Sequence, residues 1–143
     1  MKRCDSLRSL SEDHHHALAL ARRARRAGAG EGEASSEEVW AEVERRFATE
    51  LEPHFRIEEE HLVPPLAALG EAGLARRVAA DHAALRCCLQ PGGPRRPSDL
   101  ARFGRLLERH VRFEERELFA AAQERLAAAA LEAVAAACEA RGD

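Results

Sequence analysis

The sequence predicts an all-α protein, an antiparallel up-down four-helix bundle with a C-terminal helical extension. Three observations carry that expectation. Alanine, leucine, arginine and glutamate dominate the 143 residues, tyrosine is absent, and the strand formers are sparse, a composition that favours helix. Clusters of glycine, proline and serine cut the chain into four long segments. Within each segment the apolar residues recur every three or four positions, the period of a helix with one buried face. A chain of this length supports one core, so 1–143 is read as a single domain.

The first helix is expected over about 6–27 and is closed by Gly28-Ala29-Gly30-Glu31-Gly32. Ser35-x-x-Glu38 forms a capping box that opens the second, over about 36–63, where Val39, Val43, Phe47 and Leu51 share a face. Pro53 is read as a kink inside this helix and Pro64-Pro65 as its end. The third helix, about 71–89, stops at Pro91-Gly92-Gly93-Pro94, and the fourth, about 98–120, begins near Ser98-Asp99. The alanine-rich tail, 121–141, either prolongs the fourth helix or packs on the bundle as a short fifth, and no chemistry is assigned to it.

A formal charge of −3 gives no general attraction to nucleic acid or to an anionic membrane. The run Arg22-Arg23 and Arg25-Arg26 reads as a solvated face, since Lys2 is the only lysine and arginine is used throughout. No apolar run is long enough for a signal segment or a membrane span, and a soluble cytoplasmic protein is expected. Cys4, Cys87, Cys88 and Cys138 lack metal-type spacing and read as buried or free thiols.

The chain repeats itself. His54-Phe55-Arg56-Ile57-Glu58-Glu59-x-x-Leu62 returns as His110-Val111-Arg112-Phe113-Glu114-Glu115-x-x-Leu118, and Asp13-His14 returns as Asp81-His82. Helices one and two are thus a distant copy of helices three and four, an arrangement that sets two equivalent half-sites face to face. On helical wheels His14 lies at the centre of the stripe formed by Leu7, Leu10, Ala17, Leu18 and Ala21, while His15 and His16 turn outward. His54 and Glu58 continue the stripe of Val43, Phe47 and Leu51; His82 joins Val78, Leu85 and Leu89. His110 and Glu114 lie among Leu100, Phe103, Leu107, Leu118 and Ala121, whereas Glu59, Glu60 and Glu115 rotate off their stripes. Four imidazoles and two carboxylates aimed at one interior need compensation worth several kcal/mol per charged group. Metal ions supply it: imidazole and carboxylate together suit iron, manganese or zinc, and six donors exceed one tetrahedral zinc but match a two-metal site.

The order His, His-x-x-x-Glu, His, His-x-x-x-Glu on four successive helices resembles the hemerythrin-like family, also called the HHE cation-binding domain, over the chain to about Ala121. The resemblance implies two iron ions bridged by an oxo or hydroxo group, with His14, His54, His82 and His110 as terminal ligands and Glu58 and Glu114 as bridges. Oxygen-carrying members have a further histidine one turn after the third-helix ligand, where this sequence has Arg86, a side chain that cannot ligate a metal. His61, one turn beyond Glu58, is the candidate to replace it, with a supporting or cavity-lining role as the alternative. Glu58-x-x-His61 also has the spacing of ferritin-like di-iron bundles, but Glu117 stands where the second copy needs a histidine. The lack of tyrosine argues against a tyrosyl-radical enzyme.

By this resemblance the expected function is binding of O2 or NO for sensing, storage or scavenging, in preference to catalysis. The alternatives are a di-iron enzyme reducing NO or peroxide, an iron-donating repair protein, and an interaction bundle with zinc or no metal. No nucleic-acid or membrane partner is expected, and the protein is read as a monomer or homodimer.

Overall fold

The computed structural model describes residues 2–141; Met1, Gly142 and Asp143, which the single-domain expectation includes, lie outside the described residues. The described chain is all-helical. Helix α1 is Asp5–Gly28. Helix α2 runs unbroken over 36–68, as Ser36–Arg46, a wide π-type stretch Phe47–Leu51, Glu52–Ile57, a second π stretch Glu58–Leu62, and Val63–Ala68. Helix α3 is Ala72–Cys88. Helix α4 covers 97–125 as Pro97–Phe113, the π stretch Glu114–Leu118 and Phe119–Arg125, and α5 is Ala128–Arg141.

Local chemistry sets the ends. The Ser35 hydroxyl accepts from the Glu38 amide at 3.1 Å while the Glu38 carboxylate accepts from the Ser35 amide at 3.5 Å, so two otherwise unpaired donors are satisfied. Helix α2 does not stop at Pro64-Pro65. Those prolines fall in the first turn after a π stretch, where the hydrogen-bond register has just been reset and a missing N–H costs least. Pro53 stands in the same relation to the stretch Phe47–Leu51. The helix closes instead at Gly70, whose φ of 94° lets the amides of Gly70 and Glu71 turn back to Ala67 and Leu66 at 3.0 Å.

Helices α1 and α4 lie closest, and two glycines allow it. A Cβ on Gly104 would stand 2.6 Å from the Ala21 carbonyl oxygen and 3.0 Å from the Arg25 nitrogen; one on Gly28 would stand 2.5 Å from the Pro97 oxygen. The core is in two parts. Ala17, Leu20, Val43, Phe47, Phe55, Phe103 and Leu107 belong to one apolar cluster; Leu7, Leu10, Leu62, Leu66, Phe119 and Val134 belong to the other. Helix α5 joins only the second, through Val134 and Cys138. The buried polar residues lie where the two clusters meet: on α1, His14 separates Leu10 from Ala17, and on α3, His82 separates Val78 from Leu85. Among the described residues no helix is long and apolar enough to cross a membrane.

Alanine normally gains about 1 kcal/mol over glycine inside a helix, but at Gly104 overpacking against main chain costs about 1–3 kcal/mol. Gly104→Ala is therefore expected to lower the urea unfolding midpoint, and Gly104→Val to lower it further.

Candidate metal centre

Six polar side chains converge in the band between the clusters. Glu58 and Glu114 have no exposed surface, and His14, His54, His82 and His110 are at most 4% exposed. Their donor atoms form two groups within which all atoms lie within 4.8 Å of one another: His14, His54, Glu58 and Glu114, and Glu58, His82, His110 and Glu114. Each group has its own pair of imidazoles, and both glutamates belong to each. His14 Nε2 faces Glu114 Oε1 at 2.8 Å and His54 Nε2 faces Glu58 Oε2 at 3.0 Å. On the other side His82 Nε2 faces Glu58 Oε1 at 3.1 Å and His110 Nε2 faces Glu114 Oε2 at 3.1 Å. The two oxygens of each carboxylate are thus divided between the two groups.

Each imidazole is also held from behind. The Nδ1 atoms donate to carboxylates: His14 to Glu115 at 2.6 Å, His54 to Asp13 at 2.8 Å, His82 to Glu59 at 2.6 Å and His110 to Asp81 at 2.8 Å. An ionised carboxylate only accepts, so each Nδ1 carries a proton, and Nε2 is the nitrogen turned inward toward the glutamates. Arginines hold these four carboxylates in turn. Arg3 reaches Glu115 at 3.2 Å, Arg141 reaches Asp13 at 2.6 Å, Arg77 reaches Asp81 at 3.0 Å, and Arg86 reaches Glu59 at 2.8 Å. Rings fix the imidazole planes as well: Phe119 stacks on His14 with centroids 5.0 Å apart, and Phe55 on His82 at 3.9 Å.

Glu59 and Glu115 correct the wheel reading. Both side chains are about one-third exposed, as expected off the stripe, yet their carboxylates fold back onto His82 and His14. Both follow the first residue of a π stretch, where a fixed 100° step no longer holds. The signal was in the sequence, because the second glutamate recurs in both copies of the repeat. The same widened turn moves His61. Leu62 takes the fully buried position, while the His61 side chain is 37% exposed, 3.7 Å from Glu60 and in neither donor group. Past the third π stretch the buried position likewise falls on Ala122, with Ala121 only partly buried. Arg86, besides holding Glu59, donates to Glu52 at 3.0 Å from Nε, so its guanidinium is engaged on the flank of the site.

The donor set fits metal ions on three grounds. Two donors about 2.1 Å from one ion and at right angles to each other stand about 3.0 Å apart, close to the 2.8–3.1 Å found between imidazole and carboxylate here. His110 Nε2 and Glu114 Oε2 are buried without a hydrogen-bond partner. And lone pairs of nitrogen and oxygen facing each other require a cation between them, either a proton or a metal. Protons serve when metal is absent. Burial pushes the His110 imidazole down, but the Glu114 charge and the Asp81 hydrogen bond outweigh it and hold it up at about 10. His14 and His54 are raised in the same way against burial, and Glu114, although burial alone pushes it up, is held well below the usual carboxylate range by His110. A small void with room for about one water-sized molecule adjoins the site, lined by His14, His54, His110 and Glu114 and by apolar Ala17, Leu51, Phe55, Leu107 and Val111.

Fold and site together define an all-helical protein with a buried histidine and glutamate centre suited to metal cations. The model of the hemerythrin HHE cation-binding domain matches residues 5–122, and the chain belongs to that family. Neither curated proteins nor solved structures provide a significant match.

The raised His110 sets a pH dependence for the chelator-treated protein. Its contribution to stability is fully present below about pH 6.5, the ordinary histidine value, and is lost as pH rises through about 10. The thermal midpoint in excess chelator is expected to fall across that window.

Proposed function

We propose that this protein is a di-iron protein that binds O2 or NO for sensing, storage or scavenging. In this reading helices α1 to α4 form an up-down antiparallel bundle. His14 and His54 would hold one iron, His82 and His110 would hold the other, and Glu58 and Glu114 would contribute to both. The observation that carries it is the sharing of both glutamates between two donor groups that otherwise have separate histidines. Two shared carboxylates, one on α2 and one on α4, support a pair of adjoining ion positions.

Charge supports the same reading. The outer carboxylates Asp13, Glu59, Asp81 and Glu115 are each matched by an arginine. With neutral imidazoles, Glu58 and Glu114 are left as the uncompensated charges facing the interior. Four protein donors per ion would close a tetrahedral zinc but leave iron with open positions. The small void beside His14, His54 and His110 adjoins such a position, and its wall of Ala17, Leu51, Phe55, Leu107 and Val111 is apolar. When bound, the iron pair supplies reversible redox chemistry toward a diatomic ligand; the chain orients the imidazoles, bridges the ions and excludes solvent.

A di-iron enzyme reducing NO or peroxide is the second reading, favoured by Arg86. With a guanidinium where oxygen carriers have a further histidine, neither donor group exceeds four protein atoms, which leaves more room for turnover.

Anaerobically purified protein from iron-replete cells is expected to contain two irons per chain and to change its absorption spectrum on exposure to O2 or NO. One ion, or zinc in both positions, would reject the di-iron reading. Sustained NO or peroxide consumption without a stable liganded spectrum would favour the enzyme. His54→Ala is expected to lower iron content, whereas His61→Ala leaves it at two; loss of iron in the latter would make His61 a ligand.

A further inference from the structure

The inner site has twofold pseudo-symmetry, but the arginines that support it do not. For the His82 and His110 half, Arg77 and Arg86 come from α3, the helix that carries Asp81 and His82. Arg77 stands one turn before Asp81, so this contact is built into a single helix. For the His14 and His54 half, the guanidinium on Glu115 comes from Arg3, before α1, and that on Asp13 from Arg141, in the last turn of α5. Both lie outside residues 5–122 that the family model matches.

Each of these outlying arginines is carried by a segment docked through contacts of its own. Gln123 fixes residues 2–4: its side chain accepts from the Cys4 amide at 2.7 Å and donates to the Lys2 carbonyl at 2.8 Å. Helix α5 is fixed by Val134 and Cys138, buried in the cluster of Leu7, Leu10 and Leu62, and Arg141 also donates to Ser9 Oγ at 3.2 Å. The void beside the site reaches both halves: it touches Asp13, His14 and His54 of this one and His110 of the other.

We infer that Arg3 and Arg141 are positioning residues for the His14 and His54 half-site, so that docking of the two flanking segments controls how tightly that half holds its metal. The inference rests on the two-metal reading above. Asp13 and Glu115 are about one-third exposed. Deprived of its guanidinium, either carboxylate is free to turn to water, and the imidazole behind it loses the acceptor that fixes its tautomer, its plane and its basicity. The other half takes no guanidinium from either segment, because Arg77 and Arg86 belong to α3. The two positions are therefore unequal: one is held by the bundle alone, the other only while the flanking segments are docked.

Cobalt(II) titration of the full chain, followed by visible absorption and chelator competition, tests this. Two equivalents are expected for the unaltered protein, and fewer would reject the two-metal reading itself. In the Arg3→Gln, Arg141→Gln double variant one equivalent is expected to keep its affinity and the other to weaken by about 10- to 100-fold, with unchanged far-ultraviolet circular dichroism. Arg141→Lys, which preserves a charged donor, is expected to recover part of the loss and serves alone if the double variant does not fold. Assignment to a half-site comes from crossed variants. In a His82→Gln background the remaining equivalent depends on Arg3 and Arg141; in a His14→Gln background it does not. Equal weakening of both equivalents, or no weakening in a folded variant, overturns the proposal.

Discussion

Two carboxylates with no exposed surface, Glu58 and Glu114, face each other at the centre of the molecule, and the rest of the structure is arranged around that fact. Ionised groups so placed cost several kcal/mol each unless compensated. Compensation is built in layers: imidazoles around the glutamates, a carboxylate behind each imidazole, and a guanidinium behind each carboxylate. Alternating charge carries the centre outward to solvent along four separate lines. The layering also explains the divided core, since a polar band of this size separates the apolar residues into a cluster on either side.

Much of this was legible in the sequence because two independent patterns agreed. The internal repeat gave the spacing, and the wheel placed His14, His54, Glu58, His82, His110 and Glu114 on buried stripes; the structure brings these six together. What stayed hidden traces to two physical causes. A wheel assumes a constant step, and the π stretches at Glu58–Leu62 and Glu114–Leu118 break it. Through them Glu59 and Glu115 come back toward the site, Leu62 displaces His61 from the interior, and Pro64-Pro65 becomes tolerable inside a helix. The second cause is distance along the chain. Nothing local to an alanine-rich tail says that Arg141 ends beside Asp13, because that contact depends on how α5 packs.

Arg86 illustrates how one residue can do several jobs at the position of an absent ligand. It cannot ligate, but it holds Glu59, which holds His82, and it lies over the Phe55 ring that stacks on the same imidazole. The corresponding position in the first half of the repeat is Leu18, an apolar residue packed against the first cluster. The two halves thus differ in chemistry while sharing geometry.

All ten of the histidines and acids that make up the site and its first support lie on α1 to α4, and none lies on a connecting turn. The separation of the donors is therefore set by helix packing, including the close approach at Gly104, and not by loop length. The turns at 29–35 and 89–96 are correspondingly free to vary. Closing a longer loop adds only a fraction of a kcal/mol for each doubling of its length, so a whole further domain can be spliced into either turn while the centre keeps its shape.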